Sequence, residues 1–277
     1  MGIRGLALFL ISLTIAGAAA SETPPRRVVS LNLCSDQLLL MLADPDQIAS
    51  ISHLAVEEKS SFVAKQASAF PLNHARLEEI IDYQPDLILA VSYSNPRLLN
   101  TLRKLGYEIH QMALGSRPEQ IAQEIRRLAE RLGQIRRGDE LIADMLKRLR
   151  SEPSTSSPAR PAAVFYQPRG YTSGSDTLQN EALKLAGWRN PAAEAGITGY
   201  APVSLEQVIL WQPDVLFTSS YGEPGESLAE RQLTHPALKR LMGNRPLLEI
   251  PYKYWICPGP MLAEAVHLLR EARQNIR

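Results

Sequence analysis

Residues 77–89 read Leu-Glu-Glu-Ile-Ile-Asp-Tyr-Gln-Pro-Asp-Leu-Ile-Leu, and residues 205–217 read Leu-Glu-Gln-Val-Ile-Leu-Trp-Gln-Pro-Asp-Val-Leu-Phe. The stretches lie 128 residues apart and match position by position in identity or character. Solenoid repeats recur every ~20–50 residues, so one match at this distance points to two similar lobes rather than a stack. Each copy reads as an amphipathic helix, a Gln-Pro-Asp break and a short apolar run. Pro85 and Pro213 cannot continue a helix, and they push the residue before them towards an extended conformation. Leu87–Val91 and Val215–Thr218 have the unbroken, branched character of strands buried on both faces of a parallel sheet. Two α/β lobes imply a cleft between them.

The 277 residues are about two domains' worth of chain. With 45% hydrophobic and 21% charged residues, the composition supports ordinary packed cores. Arg4, the apolar run Leu6–Ile15 and Ala18-Ala19-Ala20 predict a signal peptide over residues 1–20, with a mature chain from Ser21. That run is too short to span a bilayer comfortably, and no Cys follows the cleavage site to carry a lipid anchor. Nothing later in the sequence approaches a spanning segment, so the product is expected to be exported and soluble. Removing residues 1–20 takes away one Arg, leaving 29 Lys+Arg against 29 Asp+Glu. A neutral chain without a basic run gives no electrostatic case for nucleic acid or an anionic membrane.

Along the mature chain, Arg27–Leu33 reads as a first strand, with Ser35 or Asp36 capping a helix Gln37–Leu42. Strand Ile48–Ile51, helix 77–83, strand 87–91, a helix over 97–105 ended by Gly106, and strand Tyr107–Met112 complete an N-terminal lobe spanning 21–115. Residues 116–150 carry a 3.6-residue apolar period (Ile121, Ile125, Leu128, Leu132, then Leu141, Met145, Leu149), with Gly133 and Gly138 as breaks. This is the expected interlobe helical segment. The C-terminal lobe, 151–277, opens on the Ser/Pro-rich linker Ser151–Pro161. It continues with strand Ala163–Tyr166, helices 177–186 and 205–211, strand 215–218, helix Pro236–Met242, strand Leu247–Ile250 and helix Met261–Gln274.

In their order and spacing, several of these segments resemble the periplasmic substrate-binding proteins of ABC importers for metal chelates, the carriers of iron–siderophores, haem and vitamin B12. The segments are Val28-Val29-Ser30-Leu31, Cys34-Ser35-Asp36, Leu77-Glu78 with Gln84-Pro85-Asp86, Tyr171-Thr172-Ser173-Gly174, Leu178-Gln179-Asn180 and Val203-Ser204-Leu205-Glu206-Gln207. The likeness covers nearly the whole mature chain, and the Thr-Ser-Gly…Gln-Asn stretch is particularly similar to the B12-binding branch. The resemblance implies an α/β fold of two lobes with parallel-type sheets joined by a long interlobe helix, hinging little. A siderophore, haem or corrinoid would lie in the cleft between the lobes. It also implies a periplasmic monomer that delivers its cargo to an inner-membrane ABC permease dimer with its ATPase.

Glu78 and Glu206 hold the same place in the two copies, and in the resembling family such glutamates dock onto permease arginines. Acids also favour helix N-termini through the macrodipole, and Ser204 with Gln207 forms a capping-box pattern. Tyr93, Tyr171, Tyr200 and Trp255 fall in loops beside predicted strands, where aromatics offer rigid contact area to a bulky chelate. Residues 69–75 lack a Trp that the B12 branch carries there. Trp188 and Trp211 read as core. Arg169, and behind it Arg97 and Lys253, are candidates to meet a chelate's acidic groups.

Cys34 and Cys257 each follow a predicted strand. They stand as an interlobe disulfide, as two thiols near the ligand, or as unrelated buried cysteines; an exported chain favours oxidation. The five histidines show no metal-ligand spacing, which disfavours bare-metal binding and leaves His53 as a loop residue near the cleft. No cofactor and no catalytic residue is identified. There is no G-x-x-x-x-G-K-[ST] phosphate loop, and Gly170–Gly174 does not satisfy G-x-S-x-G. The expected function is a chelate carrier. The alternatives are an exported enzyme on the same scaffold and a ligand-binding sensor.

Overall fold

A computed structural model describes residues 23–150, 160–219, 236, 240, 243 and 247–276. The expected signal peptide, most of the Ser/Pro linker and most of the helix expected at 236–242 lie outside these residues.

Five strands make one parallel sheet: β1 (Val28–Ser30), β2 (Ile48–Ser52), β3 (Leu72–Asn73), β4 (Leu87–Val91) and β5 (Ile109–Met112), in the order β3-β2-β1-β4-β5. They are connected through α1 (Leu33–Leu42), α2 (Ala64–Ala67), α3 (Leu77–Asp82) and α4 (Pro96–Lys104). Successive strand residues face opposite ways, and this alternation sorts the apolar side chains into two layers. Val28, Leu87, Leu89 and Val91 pack with Leu38, Leu39 and Leu42 of α1. Val29, Ile88 and Ala90 pack with Ile80 of α3 and with Leu99 and Leu102 of α4. Covered on both faces, the strands need no polar alternation, which is why Leu87–Val91 is apolar throughout.

The chain then enters α5 (Pro118–Leu132) and α6 (Ile135–Arg150). A second parallel sheet follows in the order β10-β9-β6, from β6 (Ala163–Phe165), β9 (Val215–Thr218) and β10 (Leu247–Glu249). Between β6 and β9 in the chain, β7 (Tyr171–Ser173) and β8 (Tyr200–Pro202), distant in sequence, form a separate antiparallel pair beside the expected parallel-type sheets. Helices α7 (Leu178–Leu185), α8 (Pro191–Glu194), α9 (Leu205–Trp211) and α10 (Leu262–Asn275) complete the second lobe.

The internal repeat is a repeat in three dimensions. From Leu77 to Pro85 and from Leu205 to Pro213 the burial follows one identical sequence, with Glu78 and Glu206 exposed and Ile80 and Val208 buried. Gln84 and Gln212 both take the left-handed conformation, φ 47° and 46°. The extended conformation expected before proline is thus not adopted. Each Gln instead closes its helix, its N–H donating to Ile81 O or Ile209 O, and proline disfavours only the right-handed region at that position. The following Asp ties the new strand to its neighbour. Asp86 accepts the N–H groups of Arg26 and Arg27 at 2.7 and 2.9 Å, and Asp214 accepts that of Ala162 at 2.8 Å. Each clamp sits where β1 or β6 begins.

The interlobe segment is not one long helix. Gly133, at φ 72°, ends α5, and α6 folds back against it. Gly138 allows the close approach, since a Cβ there would lie 2.4 Å from Ala129 Cβ. Only α6 runs between the lobes. Near its start Arg137 bonds Leu42 O and Asp44, and near its end Arg148 bonds Glu264 of α10. At 1.5 Å per residue, its 16 residues bridge about 24 Å. Helix α1 also begins earlier than Ser35 or Asp36 would allow, because Asn32 caps it by accepting Cys34 N–H.

Asp214→Ala leaves the buried Ala162 N–H without an acceptor, which costs about 1–3 kcal/mol. Urea unfolding followed by tryptophan fluorescence should show that loss. An unchanged midpoint would contradict the clamp.

Candidate ligand cleft

Open parallel sheets bind ligands beyond the carboxyl ends of their strands, where neighbouring connections leave for opposite faces. In the first sheet this point lies between β1 and β4, since α1 covers one face and α4 the other. Asn32 and Tyr93 meet there, the Tyr93 hydroxyl donating to Asn32 Oδ1 at 3.3 Å. The Tyr93 ring is 63% exposed, so its face is available to a ligand.

Cys34 and Cys257 are joined, with S–S 2.10 Å and Cα atoms 5.1 Å apart across 223 residues of sequence. Cys34 follows β1 and Cys257 follows β10, so the bond sets the carboxyl edges of the two sheets side by side. Phe62 and Tyr254 make a second contact between the halves, ring centroids 5.9 Å apart. Of the three readings of the cysteines, the structure has the bridge. As a surface of the cleft, however, Cys34 needs correction. It is only 2% exposed and lies beneath Tyr93, whose hydroxyl is 3.7 Å from Sγ.

The β7–β8 pair supplies aromatics on the other side. Ser173 pairs with Tyr200 and Tyr171 with Pro202, so Tyr171 and Tyr200 project from one face as diagonal neighbours. Both rings are exposed. The Tyr200 hydroxyl donates to Gln179 Oε1 at 2.7 Å, and desolvation of the phenol holds its pKa above the ordinary range despite that bond. Arg169 is exposed in the turn Pro168–Gly170 at φ 64°, just ahead of Tyr171. Trp255 does not belong with them. It is 1% exposed, edge-on to Phe165, and its Nε1 donates to Ser219 Oγ, so the loop after β10 turns its large aromatic into the core. Trp188 is likewise buried, whereas Trp211 is only partly covered. Lys253 lies over the Tyr254 ring, and Arg97 is exposed on the first turn of α4.

Glu78 and Glu206 stand exposed in the first turns of α3 and α9, helices that begin just after β3 and β8 end. Ser204 accepts Gln207 N–H and caps α9, while Arg76 gives α3 no side-chain cap, so the capping explanation applies to one copy only.

A family model described as "Periplasmic binding protein" matches residues 28–242. The chain belongs to the periplasmic binding protein family. Curated relatives include the vitamin B12-binding protein of Vibrio parahaemolyticus, 28% identical over 84% of this chain and 84% of that one. The cobalamin-binding protein of Halobacterium salinarum is 26% identical over 73% of this chain, and the match spans only 56% of that relative's length. Among solved structures, the apo periplasmic haem-binding protein RhuT of Roseiflexus superposes with a TM-score of 0.76 at 25% identity, over 89% of this chain and 97% of that one. The vitamin B12-binding protein BtuF of Vibrio cholerae shares the fold, with a TM-score of 0.69 at 23% identity over 91% and 97%.

Beneath the cleft, this periplasmic binding protein holds a polar cluster that sequence reading missed. Asp36, fully buried, accepts the backbone N–H of Ser52 at 3.1 Å and the Ser52 hydroxyl. Asn73 donates to Ser30 O and Ser50 Oγ, tying together β1, β2 and β3. His53 and His74, at the ends of β2 and β3, stack with centroids 4.7 Å apart, and His74 pairs with Glu79 at 3.4 Å. The serines and Asp36 are small polar residues inside an apolar pattern, and that was the available signal.

Burial pushes the Asp36 carboxyl from 3.8 up to about 7, although hydrogen bonds from Ser30 and Ser52 pull it down. A carboxyl whose folded pKa is raised binds its proton more tightly in the native state, so its cost is absent at low pH. That cost grows as pH rises from about 4 to about 7, and at ~1.4 kcal/mol per pH unit it is capped near ~4 kcal/mol. Asp36→Asn keeps the Ser52 bonds, with Oδ1 accepting and Nδ2 donating. It should be more stable than the parent at pH 8, equal at pH 4, and flatter between. Parallel stability–pH curves for the two proteins would refute this.

Proposed function

We propose that this chain is the periplasmic substrate-binding component of an ABC importer, and that its cargo is a corrinoid of the vitamin B12 type. The observation that supports the reading is a set of exposed aromatic residues in loops and strands that follow the ends of the parallel strands. Tyr93 lies on one side, and Tyr171 and Tyr200 share one face of the β7–β8 pair on the other. Rigid aromatic surfaces suit a large, rigid, largely apolar macrocycle, because they bury area while freezing few rotors. Arg169 stands next to this wall for an acidic group on the ligand. The corrinoid choice follows the curated relatives that align over most of this chain, which are vitamin B12-binding proteins.

In this reading residues 21–115 and 151–277 are the two lobes and 116–150 the segment between them. Residues 1–20 direct export and are removed, and the monomer works as a carrier with no catalytic step. Glu78 and Glu206 are the docking points for the permease. Their support is positional, since the same exposed carboxylate sits on the same turn of the same helix in each lobe. Exposed charges of this kind steer encounter and fix register.

Titrating the purified mature protein with cyanocobalamin, haemin and a panel of ferric siderophores, read by intrinsic fluorescence, decides the cargo. Saturable binding of cyanocobalamin alone is expected, weakened about tenfold or more by Tyr171→Ala with Tyr200→Ala. Tight binding of haemin or a siderophore in its place would overturn the corrinoid choice. Glu78→Lys with Glu206→Lys should leave the titration unchanged and abolish uptake by cells that carry the importer.

A further inference from the structure

We infer that the Cys34–Cys257 bridge is a positioning element of the cleft, holding its two walls at one separation where the strand ends of the lobes meet. The inference rests on the cleft lying at the carboxyl edges of the two sheets. Its own basis is mechanical.

Along the chain, the lobes are joined through α6 and the segment after it, because α6 is held to the first lobe through Arg137 and to the second through Arg148. A body held at one point can rotate about any axis. The bridge adds a second covalent point, 223 residues away in sequence and on the strand-end edge of both sheets. Two fixed points leave rotation only about the line joining them, so the strand-end edges cannot separate at the bridge.

Both ends of the bridge are rooted in rigid surroundings, which lets them transmit force. Cys34 lies in the first turn of α1, capped by Asn32 and braced by Ser35, whose hydroxyl bonds Asn32 O. Cys257 follows the buried Trp255, whose indole is bonded to Ser219. The bridge also touches the ligand side directly, since the Tyr93 hydroxyl rests 3.7 Å from Cys34 Sγ and 3.3 Å from Asn32 Oδ1. Loss of the bridge therefore frees the wall that carries Tyr93 from the wall that carries Tyr171 and Tyr200.

The test places spin labels on ketone-bearing residues introduced at positions 104 and 184, one exposed site in each lobe. Distance distributions are recorded without ligand for the parent and for Cys34→Ser with Cys257→Ser. A single narrow distribution is expected for the parent and a clearly broader or longer one for the variant. Cyanocobalamin, used as the probe ligand, should dissociate at least ten times faster from the variant. If the variant does not fold, the same distances are measured on the parent before and after reduction under native conditions. Identical distributions with and without the bond, in a folded protein, would overturn the inference. So would two thiols reactive to maleimide in the parent purified from the periplasm. Because the distances need no ligand, failure of cyanocobalamin to bind would count against the cargo and leave this result standing.

Discussion

The aspartate that follows each repeated proline sets the frame on which the rest is hung. Asp86 holds the start of β1 against β4, and Asp214 holds the start of β6 against β9. Registering those two strand pairs fixes where β1, β4, β6 and β9 end, and the strand ends carry the loops of the proposed ligand site. The left-handed glutamines add cost at each corner, of order 1–2 kcal/mol for a residue with a Cβ. The corner is kept in both lobes because helix closure, proline and aspartate together allow the chain one exit direction.

From that frame the site follows by topology. With β1 and β4 adjacent and their helices on opposite faces, the point where ligands bind in such sheets falls at Asn32 and Tyr93. In the second lobe the parallel sheet is three strands wide among the described residues, and a separate antiparallel pair, β7 with β8, carries Tyr171 and Tyr200. The lobes are thus alike where the frame is concerned and unlike at the proposed cargo site. A shared corner with divergent loops is what a scaffold needs if its ligand is chosen by loops.

Much of this was legible in the residues. Leu87–Val91, Val215–Thr218 and helix 205–211 coincide with elements of the structure, because buried parallel strands and a Ser-capped helix announce themselves by composition. The break at Gly133 was also readable, but not that α6 folds back on α5, which depends on the packing of Gly138 against Ala129. Trp255 misled because a loop position after a strand does not say which way a side chain turns, and here Ser219 and Phe165 draw it inward. Asp36 read as a helix cap and is instead a buried carboxyl held by Ser52. Both errors arose where long-range partners, invisible in a local pattern, decided the outcome.

The central claim is that one ligand is held by both lobes at once, between the loop after β4 and the β7–β8 pair. Hydrogen exchange of the mature protein, with and without saturating cyanocobalamin, tests it most directly. The account predicts that backbone amides in residues 91–95 and in 171–173 with 198–202 gain protection together, at the same ligand concentration. Protection confined to one lobe, or appearing away from both segments, would contradict it.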